Sequence, residues 1–469
     1  MEKQIVSILD KVNEPLAYVL LTLLILCAIL YTIRTRGVQF RLLGEMFRVS
    51  LEKPKHQEET VEKKKREISP LEAFLVGLAS RIGTGNLAGV ATAIAIGGPG
   101  SIFWMWMMAL VGSANSFVEC TLAQLYKIRG NDSYIGGPAY YITKGMKKRW
   151  FACIFAVASI LDFGFTNNLV QSNTISLAFH HAFGIDPMVM AIVLTVLSLV
   201  VIFGGIQRIA KVSSIVVPLM AVLYLGLAVF IVAFNWREIP SVLWLIVDSA
   251  FGGRQVAGGA VGMAIVMGLK RGLFSNEAGE GSAPNAAATA ETSHPVKQGL
   301  IQTLGVYMDT IVVCTCTAFI ILCSGAWNSG ANGIKLTQMA LTEHVGPIGS
   351  VIVAVAIFFF AFSSILGNYF YGETNVYFLS KRPVVMLIYR LLLGVMVFVG
   401  AITTLEVVWG LVDLFMAIMT ICNVIALLYL GKYAIRLLDD YMKQRREGKN
   451  PEFHKSSMPD IADDIETWE

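Results

Sequence analysis

The sequence predicts an all-α polytopic membrane protein of eleven spans, ten of them forming two five-span repeats of opposite orientation. Three observations carry this. The 469-residue chain is 55% hydrophobic and only 15% charged, with mean hydropathy +0.64, where soluble domains sit nearer a quarter charged. Apolar runs of membrane length recur from end to end. Two of those runs are interrupted at matching places in the two halves, the sequence mark of an inverted-repeat transporter.

Span 1, at 15–33, stands outside the repeats; its length and the polar stretch before it predict a retained helix rather than a cleaved leader. Repeat one, 70–234, holds spans at 70–97, 100–127, 151–177, 187–205 and 213–234. Repeat two, 255–434, holds spans at 255–292, 297–323, 347–379, 383–402 and 405–434. Residues 1–434 thus form one transmembrane domain with span 1 peripheral, and 435–469 form a C-terminal tail, expected to be polar and flexible from 444 onward. Segments 236–251 and 324–345 are expected to lie as helices in the outer interface. The glycine-rich 130–141, with Ile135-Gly136-Gly137-Pro138, predicts a tight turn. All seven cysteines fall in apolar stretches and predict core packing rather than disulfides.

Lysine and arginine set the orientation. They crowd the segments after span 1 (including 53–66), after span 3 (Arg129, Lys144, Lys147, Lys148, Arg149), after span 5 (Arg208, Lys211) and after span 11 (Lys443, Arg445, Arg446, Lys449). The positive-inside rule then places the N-terminus outside and the C-terminus in the cytoplasm. The stretch 53–66 also suits a lipid headgroup patch, with topology the favoured reading.

The first interruption is Ile82-Gly83-Thr84-Gly85-Asn86. Non-helical backbone at mid-membrane depth is tolerated only where it is buried in protein or lines a cavity. Half-helix ends offer N–H groups to an anion and carbonyls to a cation. The N–H groups of 83–86 suit the carboxylate of an amino acid, and the Thr84 hydroxyl adds a hydrogen bond. The carbonyls of Ala79 and Ile82, with Phe360, Ser363 and Ser364 of span 9, make an oxygen set suited to sodium. The competing readings are close helix packing for the glycines and back-bonding within one helix for the serines. In span 4, Gln171 shares a face with Asn167 and is the choice for a side-chain contact to substrate; interhelical hydrogen bonding explains it equally well.

The second interruption lies within Gly272-Leu273-Phe274-Ser275-Asn276-Glu277-Ala278-Gly279-Glu280-Gly281. Arg81, Glu119, Lys270, Arg271, Glu277, Glu280, Asp309, Glu373 and Asp413 sit in or at spans, where ionisable groups mark function or ion pairs. Arg81 is expected to gate the inner vestibule or to pair with Glu277 or Asp309. No cysteine–histidine metal spacing, phosphate-binding loop or nucleophile motif is present, and the basic residues lack the aromatic interleaving of a nucleic-acid surface. An enzyme is not indicated.

Three motifs carry a resemblance: Ser80-Arg81-Ile82-Gly83-Thr84-Gly85-Asn86, Gly97-Gly98-Pro99-Gly100-Ser101-Ile102-Phe103-Trp104-Met105-Trp106 with Gly112, and Lys270-Arg271-Gly272-Leu273-Phe274-Ser275-Asn276-Glu277-Ala278-Gly279. The chain resembles, over nearly its whole length, the sodium:alanine (alanine or glycine:cation) symporter family of bacteria and archaea, within the amino acid-polyamine-organocation superfamily. The resemblance implies a LeuT-like 5+5 inverted repeat with one extra N-terminal helix. It implies substrate positions at Gly83, Thr84, Gly85, Asn86, Gln171, Phe274 and Ser275, and a sodium cage of Ala79, Ile82, Phe360, Ser363 and Ser364. The run Phe103–Trp106 is expected to serve as an outer aromatic anchor for span 3.

The expected function is symport of alanine, glycine or both into the cell across the plasma (bacterial inner) membrane, driven by Na⁺. Na⁺ is the coupling ion and no organic cofactor is implied. Lipid is the surrounding partner, with no nucleic acid and no obligate protein partner. The alternatives are proton coupling through Lys270, Glu277 or Asp309, and a passive channel or an amino acid sensor.

Overall fold

A computed structural model describes residues 2–52, 68–130, 133–252, 258–403 and 406–468. The basic stretch 53–66 and the start of span 7 at 255–257 lie outside the described residues. The chain is helical, with α1 at Glu2–Arg34, short α2 at Val38–Arg41 and α3 at Leu43–Ser50 before the first repeat. Repeat one runs through α4 (Pro70–Arg81), α5 (Val90–Gly97), α6 (Ser101–Leu125), α7 (Pro138–Gly145), α8 (Arg149–Ser159), α9 (Asn167–Phe183), α10 (Pro187–Ile202) and α11 (Gly205–Phe234). After α12 (Ile239–Ala250), repeat two runs through α13 (Gly258–Asn276), α14 (Ala283–Ala287), α15 (Pro295–Val306), α16 (Thr315–Ser324), α17 (Gly333–Val345), α18 (Ile348–Leu379), α19 (Pro383–Ile402) and α20 (Glu406–Arg446).

Among the described residues, eight helical segments are each long and apolar enough to cross a membrane. The other three predicted spans are the two interrupted ones and α10, whose 16 residues fall short alone. Three helices widen into π-helical turns, at Gly85–Gly89, Ile160–Thr166 and Tyr307–Cys314. Such turns free carbonyls from regular pairing and cluster at functional sites.

Each interruption has a local cause. α4 starts on a full capping box: Ser69 accepts from the Glu72 N–H and Glu72 accepts from the Ser69 N–H. It stops at Ile82, whose backbone is extended, because Gly83 and Gly85 together disfavour helix. In α13 the helix runs to Asn276, so the break occupies the second half of the stretch 272–281. The chain then turns through Glu277, Gly279 and Gly281, all at positive φ, before the five-residue α14. Glycine adopts that backbone freely; Glu277 does not, so the turn needs an external hold. Glu119 of α6 supplies one. Its carboxylate accepts from the N–H groups of Gly279 and Gly281, both at 3.1 Å, and from Asn423 Nδ2 at 2.7 Å. Glu277 in turn accepts from Ser80 and Ser282 hydroxyls at 2.8 and 2.6 Å, tying the second turn to the first half-helix.

The helices pack in two groups. α6 lies against α13 and α15, and α4 and α14 pack with them; α9 lies against α18 and α19, with α10 outside. α1 packs on α20 and α6, peripheral to both repeats.

The structure departs from the sequence reading at three places outside the breaks. The expected turn at 130–141 is a two-stranded hairpin, Ile128–Arg129 against Tyr134–Ile135, followed by α7. Within Phe103–Trp106 the two indoles bond neighbouring elements: Trp106 Nε1 donates to Thr315 at 2.8 Å and Trp104 Nε1 to the Ala250 carbonyl at 3.4 Å. The run therefore packs span 3 against α12 and α16 as well as facing outward. The tail is not a loose polar segment. α20 continues to Arg446, and Phe453, Met458, Ile461, Ile465 and Trp468 are all buried against the helix ends. The sequence reads as polar here because these apolar residues are spaced singly among charges, yet each buried side chain of this size contributes about 1.5–3 kcal/mol.

Glu119→Ala is expected to lower the melting midpoint of the purified protein, since each orphaned buried partner costs about 1–3 kcal/mol. An unchanged midpoint would contradict the clamp on the second turn.

Candidate substrate and cation site

The end of α4 leaves carbonyls without helical partners at mid-chain depth in the bundle, and α18 meets them. Ser364 Oγ lies 3.0 Å from the Ala79 carbonyl, 3.3 Å from that of Ile82 and 3.1 Å from that of Phe360. Ser363 Oγ lies 2.9 Å from the Phe360 carbonyl. The serines do bond back to their own helix, as the competing reading expected, and Ser364 also crosses to the broken one. A hydroxyl donates a single proton, so the carbonyls around Ser364 keep lone pairs to spare. All five residues are buried. The set is hard oxygen throughout, which fits a small cation such as Na⁺ that needs no deprotonated ligand. Gly83 is required by this approach: a Cβ there would overlap the Ser364 hydroxyl.

The residues expected to contact substrate lie beside this oxygen set. Thr84 N–H donates to Gln171 Oε1 at 3.1 Å, and Gly83 N–H donates to Asn86 Oδ1 at 2.9 Å. Two of the four N–H groups expected to be free are thus held by side-chain amides, which are exchangeable acceptors, and that of Asn86 donates to the Gly83 carbonyl at 3.3 Å. The Thr84 hydroxyl is buried and has no partner among the described residues. Gln171 also reaches Asn167 at 3.4 Å, so the shared face of α9 looks into the break. Phe274 and Ser275 of α13 close over Gly85, where a Cβ would stand 3.3 Å from the Phe274 ring. Phe274 itself packs edge-on against Trp409 of α20 at 5.1 Å.

Asp309, in the π-helical turn between α15 and α16, joins the two breaks. It accepts from Asn86 Nδ2 at 2.6 Å, from Ser275 Oγ at 2.8 Å and from Thr310 Oγ1 at 2.7 Å. Its role as a junction was not legible in sequence, although its position as a buried acid was. Trp409 gave no sequence signal, because an aromatic in an apolar helix is ordinary.

Of the two roles expected for Arg81, the ion pair does not form. Arg81 makes none with Glu277 or Asp309; its guanidinium donates to the carbonyl and side chain of Gln302 at 3.1 and 3.2 Å and to Ser116 at 3.5 Å. Both acids are instead satisfied by hydroxyls and amides, so the arginine joins α4 to α15 and α6. Of the other buried charges, Lys270 pairs with Asp413 at 2.5 Å, and Arg271 stacks on Trp409 at 4.4 Å.

Comparison with known proteins agrees with this architecture. The chain is 13% identical to MhsT, solved in complex with L-phenylalanine, with a TM-score of 0.55 over 85% of this chain and 93% of that one. It is 12% identical to a mutant of the Eremococcus coleocola manganese transporter, with a TM-score of 0.51 over 87% of each. These likenesses show the LeuT-like fold. Among sequence relatives, the probable sodium/glutamine symporter GlnT of Bacillus subtilis (strain 168) is 49% identical over 96% of this chain and 93% of its own length. The amino-acid carrier protein AlsT of the same organism is 48% identical over 98% and 96%. The sodium/proton-dependent alanine carrier protein of Bacillus sp. (strain PS3) is 39% identical over 83% and 91%. The model of the sodium:alanine symporter family matches residues 2–455. The chain belongs to the sodium:alanine symporter family, whose members are multi-pass membrane transporters and not enzymes.

Proposed function

We propose that this protein imports a small neutral amino acid, alanine or glycine or both, by symport with Na⁺. The observation that carries the reading is the convergence of the Ala79, Ile82 and Phe360 carbonyls on Ser364, with Ser363 alongside. Na⁺ draws α4 and α18 together through this oxygen set. The substrate carboxylate replaces Gln171 Oε1 at the Thr84 N–H and takes the Thr84 hydroxyl, while the Gln171 amide turns its N–H donor to it. The close approach of Phe274 and Ser275 to Gly85 favours a short side chain. A single methyl in such a pocket is worth about 1–3 kcal/mol, so alanine and glycine are both admitted.

The two repeats, 70–234 and 255–434, supply the two groups of helices that rock about this site. The basic residues between spans support a cytoplasmic C-terminus and an outside N-terminus in the plasma membrane. Proton coupling is the second reading. It is favoured by the buried Asp309, whose direct partners carry no positive charge, and by the name of the Bacillus sp. relative, a sodium/proton-dependent alanine carrier.

Uptake of labelled alanine and glycine into proteoliposomes tests the proposal, with an inward Na⁺ gradient, an inward H⁺ gradient or neither. Accumulation above equilibrium with Na⁺ alone is expected. Accumulation with H⁺ alone would move coupling to the buried acids, and equilibration without a gradient would leave a passive pore.

Two variants separate the ion and substrate positions. The double change Ser363→Ala, Ser364→Ala removes both hydroxyls of the oxygen set and is expected to raise the Na⁺ concentration for half-maximal uptake by about tenfold or more. Gln171→Ala is expected to raise the apparent KM for alanine by about tenfold, the loss of one hydrogen bond to a charged group. An unchanged KM would assign Gln171 to helix packing.

A further inference from the structure

The docked tail crosses the seam that an alternating-access cycle has to open. At its start, Asn450 Oδ1 accepts from Lys297 Nζ of α15 at 2.9 Å. The Phe453 N–H donates to the Ser293 carbonyl at 2.8 Å, and the Ser293 hydroxyl donates to the Pro451 carbonyl at 2.8 Å. Ser293 lies in the connection from α14 to α15, and the neighbouring Glu291 N–H donates to the Ile68 carbonyl just before α4 at 3.0 Å. At its end, Trp468 Nε1 donates to the Gln124 carbonyl at the foot of α6 at 2.9 Å, with Lys127 Nζ 4.7 Å over the indole ring. All of these partners belong to the α4–α6–α13–α15 group.

Between those anchors the tail holds α20 and the chain entering α8, which packs on α20 and runs through the Ile160–Thr166 turn into α9 of the other group. Asp460 pairs with Arg436 of α20 at 2.7 Å. Glu466 pairs with Lys144 in the last turn of α7 at 2.8 Å, and Asp464 with Lys147 in the α7–α8 connection at 3.5 Å. Phe453 meets Trp468 edge-on at 5.5 Å, closing the segment into a loop on itself. Apart from two three-residue turns, Lys455–Ser457 and Ala462–Asp464, the segment has no regular backbone pairing. It can leave as one piece without unravelling a helix or a sheet.

We propose that residues 450–468 act as a strap that holds the two helix groups together at the cytoplasmic face and comes off before the inward gate opens. Its acidic side chains meet lysines of one group, and its aromatic end is seated on the foot of the other, so the same segment bridges both. This inference rests on the rocking cycle proposed above. The strap keeps the inner half-helix α4 covered while substrate is loaded from outside, and its release sets the rate of inward opening.

Hydrogen exchange and uptake test the strap together. Three changes to the full chain are compared: deletion of 451–469, Trp468→Ala, and Lys144→Glu with or without Glu466→Lys. The readout is exchange across Pro70–Arg81, a helix to which the strap makes no hydrogen bond or ion pair among the described residues. Deletion and Trp468→Ala are expected to speed that exchange by about tenfold and to raise the rate of Na⁺-driven uptake. Lys144→Glu is expected to do the same, with Glu466→Lys restoring the original behaviour; that pair decides the matter should the deletion fail to insert. Exchange and uptake unchanged in variants that still accumulate substrate would overturn the strap, as would a failed charge swap. Absence of Na⁺-driven accumulation in the unaltered chain is a different result, which counts against the symport reading itself.

Discussion

Backbone groups at mid-membrane depth have no water to turn to, and every one left by a broken helix has to find a partner inside the protein. Much of this structure answers that demand. α4 stops at Ile82, and the carbonyls it frees are met by Ser364 of α18. The N–H groups beyond the stop are met by Gln171 and Asn86. The second turn is met by Glu119 and Asn423. At the first break the partners are hydroxyls and amides, which a ligand is able to replace one for one, whereas the Glu119 carboxylate holds the second turn as a structural clamp.

The link between the two halves follows from how these partners are themselves held. Asn86 accepts from the first break through Oδ1 and donates to Asp309 through Nδ2. Asp309 also takes Ser275 from the second break. Ser80, one residue before Arg81, bonds Glu277 of the second turn and Asn368 of α18. A shift of α4 relative to α18 therefore disturbs both breaks, which is the physical requirement for an ion and a substrate to sense each other.

The legible part of this protein was its backbone punctuation. Paired glycines in apolar runs located both breaks, and the hydroxyl pair Ser363-Ser364 pointed to a contact with the end of α4, because hydroxyls inside a phenylalanine-rich span need partners. The partners of the buried charges were less legible. Ion pairing was expected for Arg81, yet amide and hydroxyl partners surround it, since a charge inside a bundle is satisfied by whatever donors and acceptors the neighbouring helices present. Glu119 was visible as a buried acid, but its grip on Gly279 and Gly281 depends on a helix contact made 160 residues away in the chain. The tail was misjudged for the opposite reason: its apolar residues follow no helical or strand period, so only the surface they cover reveals them.

The central claim is that Ser364 couples the cation to the substrate through the broken helix. The direct measurement is Na⁺ affinity with and without saturating alanine, and alanine affinity with and without Na⁺, in the unaltered protein and in Ser364→Ala. Each ligand is expected to tighten the other by the same factor in the unaltered protein, as linkage demands, and the factor is expected to fall to one in the variant. Full coupling retained in Ser364→Ala would contradict the account.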